Sequence, residues 1–254
     1  MTLAPLFLLS NDDGVHAPGL RVLAEEMKKH GEVYVAAPHV ERSAFSHAIT
    51  IAQPLRKEEL RKGVFAVEGT PADSVMLALQ QIIPRMPSWV ISGINRGANL
   101  GTDTIYSGTV GAAMEGFISG CRSIAVSVEG YEPLNYETAA RIVSMLIAKQ
   151  DKLDVIAKQG VLNINVPNLP FDKIAGIEVA TLGRRVYEQQ MQMGMDPRGR
   201  PYFWIGGGGR THEDLPGSDC VLVDQGFATI SVLKPDLLHR EATAQLKELL
   251  PSIL

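Results

Sequence analysis

The chain has 254 residues, of which 24 are Lys or Arg and 28 are Asp or Glu, so its formal net charge at pH 7 is -4. That length favours one large domain with an appendage over two separate domains. The negative charge, without any run rich in Lys and Arg, argues against binding to a nucleic-acid polymer. The two cysteines, Cys121 and Cys220, lie far apart and match no CxxC or zinc spacing, so we expect buried thiols in a reducing compartment.

The apolar start of the chain, MTLAPLFLLS, lacks the basic residues and the cleavage site of a secretory signal. No uncharged apolar run approaches the length that is needed to span a membrane. We therefore expect a soluble, cytoplasmic protein that does not bind membranes.

Strand and helix patterns alternate through the first two-thirds of the chain. The apolar run at residues 3–9 predicts a buried strand, and helical spacing over 20–27, with Gly31 as a C-cap, predicts the helix that follows. A strand at 33–37 completes a βαβ unit, which requires parallel strands. The same reasoning predicts further strands at 64–67, 89–92, 123–127 and 161–166, and helices at 72–83, 109–118 and 136–147.

This alternation is typical of a doubly wound, Rossmann-like α/β fold with a mostly parallel sheet. Beyond Leu182 the pattern becomes irregular, and residues 203–205 predict one strand of a protruding C-terminal hairpin. Strand character returns at 221–223 and 228–233, before a closing helix at 239–250. We expect a single domain over 1–254, with a core of about 1–182 plus 220–254 and a protruding oligomerisation or lid segment of about 183–219.

Ligands of open α/β sheets bind outside the carboxyl ends of the strands, so the loops at those ends deserve the closest inspection. The loop after the first strand carries Asn11, Asp12, Asp13 and Gly14. Two adjacent carboxylates at the end of a buried strand repel each other unless a cation or hydrogen-bond donors satisfy them. The alternative is an ordinary solvated turn, because Asx-Gly turns are common.

The loop after the second strand, residues 38–47, offers the hydroxyl of Ser43 and the guanidinium of Arg42 to a metal or a phosphate. Its two histidines, His39 and His47, do not have the helical i, i+4 spacing of a zinc pair. We therefore expect both histidines at the surface or in a supporting position. A polar connection without a functional role is the alternative interpretation of this loop.

The third loop, residues 93–107, has the most informative pattern. Three glycines at four-residue spacing allow backbone amides to approach a ligand, and Asn95 and Asn99 supply carbonyl oxygens. Residues 107–109, Ser-Gly-Thr, open the next helix, whose N-terminus is a ready site for phosphate. The pattern matches neither GxGxxG nor a P-loop, which argues against dinucleotide binding and against Walker-type nucleotide binding. A flexible glycine-rich connector is the alternative.

Together the three loops offer two carboxylates, one hydroxyl and one amide carbonyl on one edge of the sheet. Hard oxygen ligands without His or Cys select Mg²⁺, Mn²⁺ or Ca²⁺ over zinc. A divalent ion that is held by two carboxylates still attracts a phosphate dianion, and it polarises a phosphoryl oxygen or activates water. The residues therefore favour metal-dependent phosphoryl chemistry.

Five sequence blocks resemble the stationary-phase survival protein (SurE) family of nucleotidases: LLSNDDGVHAPGL, APHVERSAFSHAIT, VEGTPADSV, VISGINRGANLGTDTIYSGTVGAAMEG and LNINVPNLP. The resemblance runs in blocks from Leu8 to about Pro170 and resumes weakly at 228–233. In that family the metal ligands are the two Asp of NDD, the Ser that follows Arg in the second loop, and the Asn of SGIN. The resemblance therefore implies these metal ligands here: Asp12, Asp13, Ser43 and Asn95.

The same resemblance implies a phosphomonoesterase that uses one divalent cation, Mn²⁺ or Mg²⁺, and acts on nucleoside 5′- and 3′-monophosphates. It also implies homodimers or homotetramers that are built partly by exchange of C-terminal segments, which suits the irregular stretch over 184–210. Two residues depart from the family pattern: His39 stands where the family usually has Asp, and Ala44 where Gly usually follows the Ser. Neither departure removes a metal ligand, although the extra methyl group of Ala44 affects the path of its loop.

In this hypothesis Asp12 and Asp13 hold the ion, and one of them also positions or deprotonates the attacking water. No DxD pair follows the first strand, so attack by water is preferred to an aspartyl-phosphate intermediate. The predicted phosphate-binding residues are Asn11, Asn99, Ser107, Gly108 and Thr109.

Two functions of other classes compete with this hypothesis. One is a non-catalytic nucleotide sensor on the same fold, which would keep the glycine-rich phosphate loop without a competent metal site. The other, a Rossmann oxidoreductase, is excluded because the turn after the first strand lacks the glycine fingerprint.

Overall fold

The structure is a computed structural model, and it describes residues 4–130, 132–187, 191–205 and 210–253. In it the apolar runs that predict strands pair into one large sheet. In the described ranges the strands are, in chain order, β1 (Leu6–Ser10), β2 (Glu32–Pro38), β3 (Lys57–Arg61), β4 (Val64–Val67), β5 (Trp89–Arg96), β6 (Arg122–Val128), β7 (Val161–Val166), β8 (Gly176–Val179), β9 (Arg185–Tyr187), β10 (Met191–Met195), β11 (Pro201–Ile205), β12 (Arg210–His212) and β13 (Phe227–Leu233).

The main sheet has nine strands in the order β3-β4-β2-β1-β5-β6-β7-β13-β8. All neighbours pair in parallel except β3 with β4 and β13 with β7. From β1 the chain winds outward through β2 to β4, and it then returns to β5 on the other side of β1. The order therefore reverses between β1 and β5, and the loops at their carboxyl ends border the resulting crevice.

Helices cover both faces of the sheet, and their bounds in the described ranges are α1 (Pro18–Met27), α2 (Pro71–Gln81), α3 (Gly108–Ile118), α4 (Tyr136–Ile147), α5 (Gln150–Ala157), α6 (Asp219–Asp224) and α7 (Arg240–Ile253). Side chains of β1 alternate between the faces: Phe7 and Leu9 pack with α1 and α4, whereas Leu8 packs with α2 and α3. Short 3₁₀ helices span Gly101–Ile105 and Phe171–Lys173. The predicted doubly wound α/β fold is confirmed.

Local sequence signals account for several helix boundaries. Thr70 caps α2 in a reciprocal arrangement with Asp73, and Pro71 occupies the first turn. Helix α3 ends at Ile118, and Gly120 follows it with a φ of 88°, a conformation that favours glycine. Helix α1, by contrast, ends with Lys28 as its C-cap, so the prediction of Gly31 for this position is wrong.

Other boundaries also differ from the sequence predictions. Residues 221–223 lie in α6 rather than in a strand, because Ser218 caps a helix there by accepting a bond from the backbone N–H of Val221. Strand β5 continues through Gly93 to Arg96, where a loop is predicted. Strands β3 and β8 and helix α5 have no sequence prediction. Leu3, the predicted start of the first strand, lies outside the described residues.

The irregular segment forms two antiparallel ribbons, β10 with β11 and β12 with β9. Residues 203–205 lie in β11, in agreement with the predicted hairpin strand. Parts of the predicted protruding segment, residues 188–190 and 206–209, lie outside the described residues. Met191, Met193 and Phe203 are exposed on the β10–β11 ribbon, and α7 exposes Leu246. Across the described ranges, no helix combines the length and apolar character that crossing a membrane demands.

Candidate functional site

Asp12, which follows β1, packs against the first turn of α3. Its side chain is only 4% exposed. The hydroxyl of Thr109 donates to Asp12 Oδ1, and the backbone N–H groups of Gly108 and Thr109 stabilise the charged form of this carboxylate. Burial raises the pKa of Asp12 above its ordinary value, and these hydrogen bonds oppose the rise. A Cβ at Gly108 would lie 2.8 Å from Asp12 Cβ, so the approach requires glycine at that position.

Asp13 turns towards the end of β5. Its Oδ2 accepts a hydrogen bond of 3.0 Å from the backbone N–H of Arg96. Burial, together with the negative charge of Asp12, raises the pKa of Asp13 to about 6, although the N–H of Arg96 opposes the rise. In the described part of the chain neither carboxylate has an ion-pair partner. The two adjacent acids therefore carry a cost that a bound cation would remove.

The second loop begins beside these acids. The backbone N–H of Arg42 donates to the carbonyl oxygen of Asp12 at 2.7 Å. Ser43 is exposed, and its hydroxyl donates to Glu41 Oε1 at 2.8 Å. The guanidinium of Arg96 lies 3.4 Å from the same oxygen. Ser43 is thus linked through Glu41 and Arg96 to the environment of Asp13.

The third loop is partly the end of strand β5. The register of β5 with β6 shifts between Ser92 and Asn95, a bulge that re-aims the end of the strand. Gly93 has a φ of 132°, and a Cβ there would collide with the carbonyl oxygen of Val126. The amide nitrogen of Asn95 donates to Gly97 O at 2.7 Å, which leaves the carbonyl oxygen of Asn95 as the group that can coordinate an ion.

All four predicted phosphate-binding side chains, that of Thr109 included, have partners in the protein. Asn11 is fully buried, and its amide nitrogen donates to Gly14 O at 3.0 Å, whereas its Oδ1 has no partner in the described structure. The amide nitrogen of Asn99 donates to Ser127 Oγ at 2.8 Å, in a buried network beside β6 and β7. Ser107 caps α3 and accepts from Val110 N at 3.0 Å, so its hydroxyl hydrogen remains available to a ligand.

The structure therefore brings most of the predicted residues to one place, the crevice between β1 and β5. Asp12 directly contacts Gly108 and Thr109, and Asp13 adjoins the segment that carries Asn95. Asn99 lies in a separate buried network, one step further along the sheet. The roles of all these residues in binding remain predictions.

Two contacts at this site have no counterpart among the sequence predictions. The first is the pair of Glu41 and Arg96, which joins the second loop to the end of β5. The second is the hydrogen bond between His47 Nε2 and Glu115 Oε2, with a length of 2.9 Å. Only the position of Glu115 inside an otherwise small and apolar helix could have indicated a partner for it.

The donors in the crevice fit a hard divalent cation. Asp12, Asp13, Ser43 and Asn95 supply oxygen only, and the unpartnered buried Oδ1 of Asn11 lies beside them in the chain. No group of three or more His, Cys, Asp or Glu side chains that could hold a metal occurs in the described ranges. A metal site here therefore depends on the neutral oxygens of Ser43 and Asn95 in addition to the two carboxylates.

Comparisons with known proteins agree with this geometry. A model of the family described as Survival protein SurE matches residues 7–189. The chain is 45% identical over 239 residues to the 5'-nucleotidase SurE of Coxiella burnetii, covering 94% of this chain and 92% of the relative. It is 44% identical over 246 residues to the 5'-nucleotidase SurE of Legionella pneumophila, covering 97% of each.

A solved structure extends the likeness to three dimensions. The crystal structure of the SurE protein from Aquifex aeolicus matches with a TM-score of 0.83 and 36% sequence identity, covering 96% of this chain and 99% of that one. The fold, the motifs at the crevice and the sequence identity to these relatives all agree, and this chain belongs to the SurE family.

Proposed function

We propose that this protein is a metal-dependent phosphomonoesterase that hydrolyses nucleoside 5′- and 3′-monophosphates to nucleoside and phosphate. Two curated relatives, each 44–45% identical to this chain over most of its length, are named 5'-nucleotidase. The observation that carries the proposal is the pair of adjacent carboxylates, buried Asp12 and half-buried Asp13, of which Asp12 is held against the N-terminus of α3. An intact donor set of this kind favours an enzyme over a non-catalytic nucleotide sensor.

Asp12, Asp13, Ser43 and Asn95 would hold one divalent cation, Mn²⁺ or Mg²⁺. Such an ion polarises a phosphoryl oxygen and lowers the pKa of a bound water. One of the two carboxylates would position the attacking water, within reach of a phosphate at the helix N-terminus. Because the donors are carboxylate, hydroxyl and amide oxygens, Zn²⁺ is disfavoured.

The N-terminus of α3 would bind the phosphate through its positive helix dipole and the free hydroxyl hydrogen of Ser107. In the described structure the amides of Gly108 and Thr109 stabilise the charged form of Asp12. Their contribution to phosphate binding therefore includes holding this carboxylate beside the site. Asn11 and Asn99 would shape the two loops that border the phosphate.

The activity is tested by phosphate release from a panel of nucleoside 5′- and 3′-monophosphates. The protein is stripped with EDTA and assayed with and without Mn²⁺ or Mg²⁺, beside an Asp12→Asn variant and an Asp172→Asn control at an exposed carboxylate. We expect the metal to restore phosphate release in the parent protein. In Asp12→Asn the release should be lower by about 10²-fold or more, because the variant removes one of the two carboxylate charges that would hold the ion. The control should retain activity.

Two results would reject the proposal. If the folded parent protein releases no phosphate with any metal but binds nucleotides, the sensor is correct. If Asp12→Asn keeps full activity, catalysis occurs elsewhere in the molecule.

We also propose a homodimer or homotetramer that assembles through the β10–β11 ribbon and its neighbours. A two-stranded ribbon alone is only marginally stable in water. One face of this ribbon carries Met191, Met193 and Met195 opposite Phe203 and Ile205, and all five side chains are exposed in the single chain. An apolar surface of this kind indicates a protein partner, and a second copy of the chain is the partner that the family resemblance implies.

We propose a cytoplasmic location for the protein. Cys121 and Cys220 are both free and buried, and burial raises the pKa of each thiol, to about 11 for Cys121 and about 12 for Cys220. Buried, protonated thiols of this kind are typical of proteins in a reducing compartment.

A further inference from the structure

One face of helix α3 touches three different pieces of the site. Gly108, Gly111 and Glu115 follow one another at spacings of three and four residues, so they lie on the same side of the helix. A Cβ at Gly108 would meet Asp12, and a Cβ at Gly111 would lie 2.5 Å from the carbonyl oxygen of Ser46. The first loop therefore packs closely against the first turn of the helix, and the second loop packs against the next turn.

The second loop is fixed at both ends by hydrogen bonds. At its start the backbone N–H of Arg42 donates to the carbonyl oxygen of Asp12 at 2.7 Å. At its far end Ser46 N donates to Tyr106 O at 3.0 Å, and Ser46 Oγ donates to Ile105 O at 2.6 Å. Ser43 lies between these two attachments.

His47 adds a side-chain contact to the far attachment. Its Nε2 lies 2.9 Å from Glu115 Oε2, and Glu115 is only 8% exposed. The other oxygen of Glu115 has just a long contact of 3.4 Å from Ser119 Oγ. A buried carboxylate is costly without a good donor, so His47 is the main group that makes this position of Glu115 stable.

Ala44 explains why the loop depends on these attachments. Its φ is 61°, in the left-handed region that non-glycine residues rarely adopt, and Ser46 follows with a φ of 54°. Such a loop keeps its shape only when its surroundings determine it. Without the contact to Glu115, the segment that carries Ser43 is expected to relax away from Asp12.

We propose that His47 is a positioning residue, which acts through Glu115 to hold the Ser43 loop beside Asp12 in the geometry that binds the cation. The inference rests on the proposed function for the identity of the ligand, although its main test does not require turnover. Groups that orient metal ligands typically change metal affinity by 10–100-fold when they are removed. His47 does not itself touch the reacting atoms.

The main experiment measures Mn²⁺ binding to the metal-stripped protein by the electron paramagnetic resonance signal of free Mn²⁺. We expect His47→Ala to raise the dissociation constant of Mn²⁺ by about tenfold or more. His47→Gln retains an N–H donor for Glu115 and should recover most of the affinity. The matched control is His30→Ala, a half-buried histidine that bonds to Ser144 Oγ at 2.7 Å on the other face of the sheet, and it should bind Mn²⁺ like the parent.

A double-mutant cycle separates positioning from a general loss of structure. If His47 acts through Ser43, then His47→Ala should cost little further affinity in a Ser43→Ala background. Gly111→Ala should displace the Ser43 loop in a second way, because its methyl group would press on the carbonyl oxygen of Ser46. Alanine has a higher helix propensity than glycine, so the substitution should not disrupt α3 itself. We expect this variant to be folded, with weaker Mn²⁺ binding.

The outcomes distinguish this proposal from the proposed function. Weaker Mn²⁺ binding in both His47→Ala and Gly111→Ala supports the positioning role even when the parent protein releases no phosphate, a result that would reject only the nucleotidase. Unchanged Mn²⁺ affinity in Gly111→Ala and His47→Ala overturns the positioning role, whatever the activity. Fully additive losses in the cycle with Ser43→Ala, or a parent that does not bind Mn²⁺, also overturn it.

Discussion

The adjacent carboxylates of Asp12 and Asp13 make the metal-free protein less stable than its fold alone would allow. Asp12 is buried and Asp13 is half-buried, and burial raises the pKa of both, that of Asp13 to about 6. A raised pKa means that the charged form is disfavoured in the folded state. The two carboxylates that suit a cation therefore lower the stability of the folded protein when no cation is bound.

Because the charge of Asp13 is unfavourable in the folded state, removing it by Asp13→Asn should stabilise the metal-free protein. In the unfolded chain an Asp titrates near its ordinary pKa of about 3.9, so between about pH 4 and pH 6 the folded protein binds more protons. The contribution of Asp13 to stability therefore falls as the pH rises through this range and stays low above it. In EDTA at pH 8 we expect Asp13→Asn to be more stable than the parent by about 1–2 kcal/mol, with a gap about half as large at pH 5.

Urea unfolding at the two pH values, with EDTA, measures this gap. Asp172→Asn, at an exposed carboxylate, is the control and should show no gain. A less stable Asp13→Asn at pH 8 would contradict the prediction. Added Mn²⁺ should reverse the order, because it stabilises the parent by binding only to the folded state.

The sequence predicts which chemical groups the site contains, but it does not predict which side chains contact one another there. The adjacency of Asp12 and Asp13 at the end of an apolar run is visible in the sequence, because few structural roles require two neighbouring acids at the end of a buried strand. Thr109, which donates to Asp12, stands 97 residues further along the chain, and no spacing rule connects two such distant residues. His47 and Glu115 are 68 residues apart, and no spacing rule predicts their bond either.

At the scale of elements, Asp219 joins three parts of the chain at the base of the irregular segment. It is fully buried at the start of α6. Its Oδ1 accepts from the N–H groups of Gly183 and Cys220, at 2.7 and 2.9 Å, and its Oδ2 accepts from Gly101 N at 2.8 Å. One carboxylate thus holds the 3₁₀ helix at Gly101, the start of the ribbons and α6 together.

We predict that Asp219→Asn lowers the free energy of unfolding by about 2–4 kcal/mol. An amide has one oxygen and one NH₂ group, so in either orientation it turns a donor towards a backbone N–H that needs an acceptor. Urea unfolding measures the loss, and limited trypsin digestion should cleave faster at Arg184 and Arg185. Asp214→Asn, at an exposed neighbour, is the control, and equal stability of the two variants would show that the buried bonds are unimportant.

Elements with a clear period are predictable from the sequence, and short or exposed ones are not. Strand β1 and helix α4 have long apolar patterns, and both are predicted within a few residues of their observed bounds. Strand β3, KEELR, is entirely exposed at the sheet edge, so it has no apolar face to detect. Residues 221–223 look like a strand because three apolar residues in a row fit either structure, and the cap at Ser218 decides for the helix.

At the scale of the whole molecule, the exposed apolar surface is concentrated in the ribbons and the last helix. Met193 and Phe203 face each other across β10 and β11, with 64% and 60% of each residue exposed. In α7, Leu246, Leu249 and Ile253 are also exposed. Exposed apolar side chains that are grouped on one face of a ribbon indicate a surface for a protein partner.

We therefore predict that the double variant Met193→Asp/Phe203→Asp dissociates the proposed oligomer. Light scattering coupled to size exclusion should give a mass of at least twice 27.5 kDa for the parent and a smaller mass for the variant. Two buried carboxylates without partners would cost each interface several kcal/mol. Val155→Asp, on α5 and 68% exposed, is the control and should not change the mass. A parent mass of 27.5 kDa would reject the oligomer.

The reversal of strand order between β1 and β5 also fixes when the site can form during synthesis. Leu8 of β1 pairs with Val90 of β5, so the two neighbours leave the ribosome far apart in time. A nascent chain that ends at α2 already has both acids, but it has neither Asn95 nor Thr109. The complete donor set of the proposed cation site therefore assembles only when β5 docks beside β1.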